Sequence, residues 1–451
     1  MGPLDSFFQL VFDSPGLYFM FLILSSLLYT LIFRRYIYSL FDPFVLFVVT
    51  ICFGSADVFM MYYKDHISTY YLGSYVFTQA FFLFGFLLVR PIKPPSVANE
   101  ATWQILNPND KTVTILYYVS AITFVVSQIM SFVMAGIPIL MESRLLVYRE
   151  GGGAGIFGRI IAVTSLITIF LMVDRQFNQN KQNLAAKLFD FYVFLFTLFA
   201  LFSSGSKAAL LGIVFIVFYY EFFFRHFRRY FEVVKKVKRF QRKFFIIAVF
   251  GAFSALFIEL AIAKNDYLNP LFAMLLRFIQ SGDIYMFAYP ENALELMAWS
   301  NPLIVMFSDF IGMLRIMPWE NLPENLGSQL YKYFINSDQI KGPNPIHNVF
   351  GLFYFGYWGS FLYSFGIGFF LSLLRNKFIF MVPKSKLGGV VFMLVSLPLL
   401  SVYADFSYAI SSFDNVLLVG FPLIVFVIIL TQLVSVICRK PSPRVSAELS
   451  I

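Results

Sequence analysis

Among the residues that could do chemistry, Lys207 stands out because it lies between two strongly apolar runs, in the stretch SGSKAALLG. The glycine permits a tight turn, and a helix starting here offers free backbone N–H groups and the positive end of its dipole. With the ammonium group added, these form a site suited to a phosphate or diphosphate at a membrane surface. The same pattern also fits a lysine that extends its ammonium group to water beside a serine helix cap.

Three arginines surround the glycine-rich stretch GGGAGIFG, namely Arg144, Arg149 and Arg159. The stretch satisfies a dinucleotide-binding fingerprint only formally, because no strand is predicted before it and a membrane span follows. A loop of this composition instead lets the backbone approach a ligand, and guanidinium groups suit phosphate and carboxylate recognition. Ion pairing of the arginines with Glu142 and Glu150 is the alternative.

A second set of candidates lies in LLRFIQSGDIYMFAY, which contains Arg277, Asp283, Tyr285 and Tyr289. Aromatic rings with interspersed polar groups suit the faces of sugars, and they equally suit the aromatic belt of a membrane interface. Arg315, in GMLRIMPWE, is a further basic residue expected near the membrane.

His347 is one of only three histidines, and it lies in NPIHNVFGLFYFGYWGS, just before an apolar run. A histidine there can act as a general base near neutral pH, or it can simply hydrogen-bond the backbone where a helix begins. His66 and His226 have no neighbouring residues that would complete a metal site. The chain also contains no D-x-D, G-x-S-x-G, P-loop or H-E-x-x-H motif, so neither a metal nor a cofactor is expected.

The elements that must position these residues are membrane spans. Hydrophobic residues make up 59% of the 451 residues and charged residues only 13%, whereas soluble domains carry about 25% charged residues. This composition predicts an all-α polytopic integral membrane protein, with about 11 transmembrane helices in a single transmembrane domain over residues 1–451. The predicted spans lie near 17–33, 43–63, 70–89, 112–134, 157–173, 188–202, 207–224, 244–263, 349–373, 387–404 and 415–437.

The loops on one side of these spans hold most of the 34 Lys and Arg residues, which accounts for the net charge of +9 without nucleic acid as a partner. By the positive-inside rule that side is cytoplasmic, so the N-terminus lies outside and the C-terminus inside. The basic cytoplasmic loop 225–243 anchors this topology or contacts anionic lipid. The opposite side holds the extracytoplasmic loops 135–158 and 264–348, and the longer loop is expected to contain short interfacial or re-entrant helices.

Together these features resemble the bacterial Wzy-type oligosaccharide repeat-unit polymerases, which make O-antigen or capsule, and through them the O-antigen ligases. The chain shares their architecture of many spans, one long external loop late in the sequence and scattered external arginines. SGSKAALLG is similar to the S-G-S-R-x-A turn of this family, with Lys207 where arginine is usual. NPIHNVFGLFYFGYWGSFLYSFGIG is similar to its H-N turn and aromatic, glycine-rich span, and His347 best matches the histidine of the ligases.

The resemblance implies a glycosyltransferase of the bacterial inner (plasma) membrane that makes lipopolysaccharide O-antigen or capsule polysaccharide. Its substrate would be a repeat oligosaccharide on undecaprenyl diphosphate. The enzyme would move the growing chain onto the non-reducing end of a new lipid-linked unit, with no nucleotide sugar and no metal. Membrane lipid and a chain-length-regulating co-polymerase of the Wzz type are the implied partners.

This chemistry needs cations that stabilise the charge developing on the leaving diphosphate, and a base for the attacking sugar hydroxyl. His347 is the first candidate for the base, Asp283 the second and Asp309 the third. The candidate cations on the extracytoplasmic side are Lys207, Arg144, Arg149, Arg159, Arg277 and Arg315.

Three alternatives stay open on the sequence alone, and one is a non-catalytic membrane scaffold, which would leave the external arginines without a purpose. A transporter or flippase for a lipid-linked or anionic solute would also place basic residues in a polar cavity, although the chain shows no internal repeat. An O-antigen ligase would use the same chemistry with a lipid A core acceptor.

Overall fold

The computed structural model describes residues 2–92, 111–141, 154–178, 183–204, 207–262, 278–335 and 342–437. Within these ranges all regular structure is helical. Nine helical stretches of the described chain are long and apolar enough to cross a membrane. The prediction of an all-α, multi-pass membrane protein is therefore confirmed.

The first half of the chain consists of nine described helices. They are α1 (Pro3–Asp13), α2 (Pro15–Phe33), α3 (Phe44–Tyr63), α4 (Thr69–Leu87), α5 (Lys111–Ala135), α6 (Ala154–Asn178), α7 (Leu184–Ser203), α8 (Lys207–Phe224) and α9 (Phe231–Ile262). The predicted seventh span coincides with α8, and the predicted eighth lies in the second half of α9. The basic stretch 225–243 covers a 3-10 turn, Arg228–Tyr230, and the first turns of α9.

Short elements follow, and then the last membrane helices. The short helices are α10 (Asp283–Ala288), α11 (Pro302–Met306), α12 (Ser308–Met313) and α13 (Leu326–Ile335), with 3-10 turns at Gln280–Gly282, Pro290–Leu296 and Trp319–Asn321. We refer to residues 278–335 as the loop layer. The last helices are α14 (His347–Asn376), α15 (Phe378–Met381), α16 (Lys386–Leu399), α17 (Phe406–Asn415) and α18 (Phe421–Ile437).

The two ends of the helix bundle differ in their contacts. At one end, which we call the basic end, three buried ion pairs join the helix ends. At the other end, the loop end, the loop layer packs on the bundle, and its helix α10 contacts α1, α3 and α14. The short helices expected in the predicted loop 264–348 are thus present in its described part.

Aromatic rings fill much of the space between the helices, in keeping with the 60 phenylalanines of the chain. Phe33 of α2 packs edge-on against Phe44 of α3, with ring centroids 5.3 Å apart, and against Phe86 of α4 at 5.2 Å. Phe44 and Phe86 stack face to face at 5.2 Å. Because lipid tails are as apolar as these side chains, such close packing, rather than exclusion from water, holds neighbouring helices together.

Helix α14 is not one straight span, because its chain reverses at Gly356. The backbone there has φ +69° and ψ −177°, a conformation that favours glycine. Nδ1 of His347 lies 3.0 Å from Oγ of Ser364, although 17 residues of straight helix would separate them by about 25 Å. Phe350 also stacks on Tyr363. The first limb, 347–355, therefore runs back along the second limb, 357–376.

This reversal corrects the predicted ninth span, 349–373. Only the second limb crosses the bundle in full, since Asn376 at its end hydrogen-bonds Ser372 and accepts a hydrogen bond from Tyr38 at the basic end. The turn at Gly356 lies at the loop end, where the ring of Tyr357 packs on Tyr70 at 5.1 Å. The last predicted span, 415–437, is also longer, because α17 and a π-helical segment, Val416–Gly420, precede α18 without a break.

Candidate functional site at the loop end

His347 lies inside the bundle rather than at its mouth. It is 2% exposed, and its ring stacks on Phe82 of α4 with centroids 4.7 Å apart. Ser364, its hydrogen-bond partner, follows Gly356 by eight residues, which places the imidazole about 12 Å below the turn. The partner is thus a side-chain hydroxyl from the second limb, and not the backbone at the start of a helix as the alternative interpretation expected.

Asn348 connects this histidine segment to both the bundle and the loop layer. Its amide Nδ2 donates to Oγ1 of Thr78 at 2.8 Å and to Oε1 of Gln79 at 3.4 Å, both on α4. Its Oδ1 accepts a hydrogen bond of 2.8 Å from the hydroxyl of Tyr285. Burial raises the pKa of Tyr285 far above its ordinary value, so this hydroxyl keeps its proton and remains the donor.

The tyrosines that were predicted to meet sugars or the membrane interface do neither, because both are buried. Tyr285 is 3% exposed and Tyr289 is 1% exposed. Tyr289 stacks on Tyr71 at 5.0 Å, and Tyr285 meets Tyr75 edge-on at 5.2 Å. These rings fasten the loop layer to α4, so the aromatic spacing in LLRFIQSGDIYMFAY reflects packing between two layers.

Asp283, the second candidate for the base, lies at the start of α10 and is partly buried. It interacts electrostatically with Asp57 of α3, which is fully buried. Oδ1 of Asp57 accepts a hydrogen bond of 2.9 Å from the hydroxyl of Tyr18. Its Oδ2 has no hydrogen-bond partner among the described residues, and a Cβ added at Gly282 would come within 2.2 Å of it.

Asp57 is the residue that sequence reasoning missed. Its signal was visible, since an aspartate in the apolar run FVLFVVTICFGSADVFM marks a functional site more often than a structural accident. In the described part of the loop end, Tyr285 thus interacts with the amide of Asn348, which follows His347 in the chain, and with Asp57, which in turn interacts with Asp283. We call these five residues the polar cluster.

Arg159 lies elsewhere at the loop end, where it joins α6 to the loop layer. Its Nη2 lies 2.8 Å from Oδ1 of Asp309, and its Nη1 donates to Oδ2 of Asp309 at 2.9 Å and to Oδ1 of Asn415 at 2.8 Å. The ion-pairing interpretation therefore fits Arg159, with Asp309 as its partner. Both oxygens of Asp309 already accept from the guanidinium, so this carboxylate would have to release Arg159 before acting as a base.

Of the remaining predicted cations, only Arg315 lies within the described residues with its side chain. The backbone of α8 begins at Lys207, as the sequence predicted, whereas the side chain of Lys207 is outside the described residues. Arg144, Arg149 and Arg277 also lie outside the described ranges. Arg315 is exposed and has a positive φ of +57° in the turn after α12. The binding of a diphosphate by these cations therefore stays a prediction.

The arrangement provides groups that can hold or move a proton about two turns of helix inside the loop end. Helix α8 ends at Phe224, next to Arg225, whose guanidinium lies over the ring of Tyr38 at the basic end. The first residue of α8, Lys207, therefore lies at the loop end. Among the described residues, no three His, Cys, Asp or Glu side chains lie close enough together to hold a metal ion.

The chain was compared with known proteins at three levels. No protein-family model, no curated protein and no solved structure matches it. What can be stated of its class therefore follows from its own helices: it is an all-α, multi-pass membrane protein.

Proposed function

We propose that this chain polymerises oligosaccharide repeat units carried on undecaprenyl diphosphate, by glycosyl transfer at the outer face of the bacterial inner membrane. The observation that carries the proposal is the polar cluster, in which the loop layer inserts Tyr285 onto Asn348, next to His347. In this way the H-N turn and the segment that bears Asp283 meet at the end of the bundle where α8 begins at Lys207. The H-N turn and the start of α8 are the two segments on which the local resemblance to the polymerases depends.

In the proposed reaction, a sugar hydroxyl of the acceptor attacks the anomeric carbon of the donor chain. A new glycosidic C–O bond forms, the C–O bond to the lipid diphosphate breaks, and the hydroxyl proton passes to the base. Lys207 would stabilise the leaving diphosphate, with the other external arginines as further cations. Because His347 is almost fully buried, the residues that cover it must move for the acceptor hydroxyl to reach it. Asp283 is partly exposed and needs a smaller movement.

Deletion of the gene in its host tests the proposal, with the surface polysaccharide resolved by length on a gel. A polymerase defect leaves single repeat units on the surface and removes the ladder of longer chains. A ligase defect instead removes all capping of the acceptor while lipid-linked polymer accumulates. An unchanged ladder after deletion would contradict both functions.

Complementation with variants tests the assigned residues. Lys207→Ala should abolish long chains without loss of the protein from the membrane, whereas Lys207→Arg should retain them, since an arginine also binds a diphosphate. Lys64→Ala is the matched control, because Lys64 is also at the loop end but donates to Ser14 Oγ at 2.7 Å, away from the polar cluster. Comparison of His347→Gln with Asp283→Asn then shows which residue is the base. A full ladder from Lys207→Ala would refute the diphosphate site.

One observation favours a transporter or flippase as the second candidate. A helix that enters the bundle and reverses, as α14 does at Gly356, is a device that carriers use to place backbone groups beside a cavity. Loss of a flippase would trap lipid-linked units on the cytoplasmic leaflet, whereas loss of a polymerase leaves them on the outer leaflet. Labelling of the lipid-linked sugars in intact spheroplasts with an impermeant reagent distinguishes the two.

A further inference from the structure

An open cavity of about 520 Å³ lies in the loop layer, apart from the polar cluster. Two segments line it, 296–300 before α11 and 323–333 in and before α13. Its volume falls within the range of about 300–1,000 Å³ that is typical of small-molecule sites. We call it the aromatic groove, because Trp299 and Tyr333 line it and are both exposed, at 63% and 52%.

The frame of the groove is fixed by hydrogen bonds that join its two segments. Oε1 of Gln329 accepts a hydrogen bond of 3.0 Å from the backbone N–H of Ala298, and its Nε2 donates to the carbonyl oxygen of Glu324 at 2.9 Å. The side chain of Gln329 thus links the segment of Ala298 to the segment of Glu324 at the groove. The rings of Trp299 and Tyr333 are consequently presented by a framework that exists before a ligand binds.

The polar groups of the groove indicate that it faces water. Nζ of Lys332 lies 2.7 Å from Oε1 of Glu324, and these side chains are 38% and 39% exposed. Such an ion pair is too costly to expose to the hydrocarbon of a bilayer. Water-facing aromatic rings beside a partly exposed ion pair offer an apolar face together with hydrogen-bond donors and acceptors. A sugar ring presents the matching surface, with apolar C–H faces and a rim of hydroxyl groups.

We propose that the aromatic groove binds the oligosaccharide chain of the substrate, at a distance from the reacting sugar. This inference rests on the proposed function, and it adds to that function a binding site for the glycan alone. Trp299 and Tyr333 stack on sugar faces, while Lys332 and Glu324 hydrogen-bond hydroxyl groups. A subsite that holds the glycan through several sugars would keep an acceptor at the enzyme between successive additions.

Binding of lipid-free glycan to the purified full-length protein in nanodiscs tests the inference. The probe is the set of repeat-unit oligosaccharides released from the host's lipid-linked intermediates by mild acid, titrated by calorimetry. Trp299→Ala and Tyr333→Ala should each weaken binding roughly tenfold, as loss of an aromatic stacking contact does. Trp358→Ala is the matched control, because Trp358 is 77% exposed on α14 and does not line the groove. Absence of binding to the unaltered protein, or equal weakening by Trp358→Ala, would overturn the inference.

A second measurement separates a glycan from the membrane as the occupant. Brominated lipids in the nanodisc quench tryptophans that lie in the bilayer. The amount of fluorescence that is quenched should be the same in the unaltered protein and in Trp299→Phe, since Trp299 faces water. Marked loss of quenching in Trp299→Phe would show that this ring is in lipid and would refute the glycan site. Neither outcome depends on catalysis, so deletion and the Lys207 variants still decide the proposed function separately.

Discussion

The basic end and the loop end bury charge in opposite ways. At the basic end, Arg375 pairs with Asp42 at 2.7 Å, and both side chains are at most 5% exposed. Lys386 pairs equally closely with Asp174, and the guanidinium of Arg175 bonds Asp190 and lies over two tyrosine rings. At the loop end, Asp57 is fully buried, its one hydrogen-bond donor among the described residues is the hydroxyl of Tyr18, and it interacts electrostatically with a second acid, Asp283.

This difference separates structural charge from charge that is available for chemistry. An ion pair in which both partners are buried and hydrogen-bonded fixes the positions of helix ends. Removal of one partner leaves the other as an uncompensated buried charge, which destabilises the fold. A buried acid beside a second acid has no counter-charge to stabilise it. Its presence therefore indicates a role other than stabilisation of the fold. We therefore expect the basic end to hold the bundle together and the proposed reaction to take place at the loop end.

Replacement of a buried aspartate by asparagine should lower the free energy of unfolding much more at the basic end than at the loop end. Asp42→Asn leaves the buried guanidinium of Arg375 without its counter-charge and should lower the free energy of unfolding by about 3–5 kcal/mol. Thermal unfolding in detergent and the amount of protein in membranes measure this loss. The double variant with Arg375→Met should recover much of it, because the stranded cation is then gone. Equal stability of Asp42→Asn and the unaltered protein would contradict the structural role of this end.

Asp57→Asn should have the opposite profile. The amide can still accept the hydrogen bond of Tyr18, so the free energy of unfolding should change by about 1 kcal/mol or less. Chain elongation should nonetheless fall roughly tenfold or more, because an amide cannot take up or release a proton beside Asp283. The lengths of surface polysaccharide report elongation, and the melting temperature of the purified variant reports stability. A destabilised Asp57→Asn with normal elongation would place Asp57 with the structural charges.

Exchange of the two charges in the pair Arg159–Asp309 should have the smallest effect on the free energy of unfolding. It also tests whether Arg159 has a role besides this ion pair. These side chains are 24% and 20% exposed, so either single reversal should cost about 1 kcal/mol. The double variant Arg159→Asp, Asp309→Arg should recover the melting temperature, because the ion pair is restored. If Arg159 also binds the diphosphate, as we propose, chain elongation should not recover. Recovery of both the melting temperature and chain elongation would show that Arg159 only holds the loop layer in place.

The sequence was informative where local composition decides the structure. Long apolar runs predicted the spans, and the Ser-Gly-Ser turn predicted a helix that begins at Lys207. The reversal at Gly356 was not predicted, because the residues on both sides of it are equally apolar and aromatic and together have the length of a span. Hydropathy reports whether a segment prefers lipid or protein to water, and it carries no information on the direction of the chain.

The contacts at the loop end depend on partners far away in sequence. Arg159 and Asp309 are 150 residues apart, and Asn348 meets Thr78 across 270 residues. Sequence inspection paired the arginines with nearby glutamates because only local neighbours can be inferred without a fold. The burial of Tyr285 and Tyr289 was hidden for the same reason, since an aromatic ring suits a sugar, a lipid headgroup and another aromatic ring equally well.

The first limb of α14 also has a consequence for biogenesis. Its nine residues form a helix of about 13 Å, which is less than half of the roughly 30 Å of a bilayer's hydrocarbon core. A segment this short cannot be integrated by itself, and its polar residues His347 and Asn348 would be unpaired in lipid. It takes up its position only once α4 and the second limb offer Thr78 and Ser364 as partners. Insertion of α4 and of the second limb therefore precedes the folding of this limb.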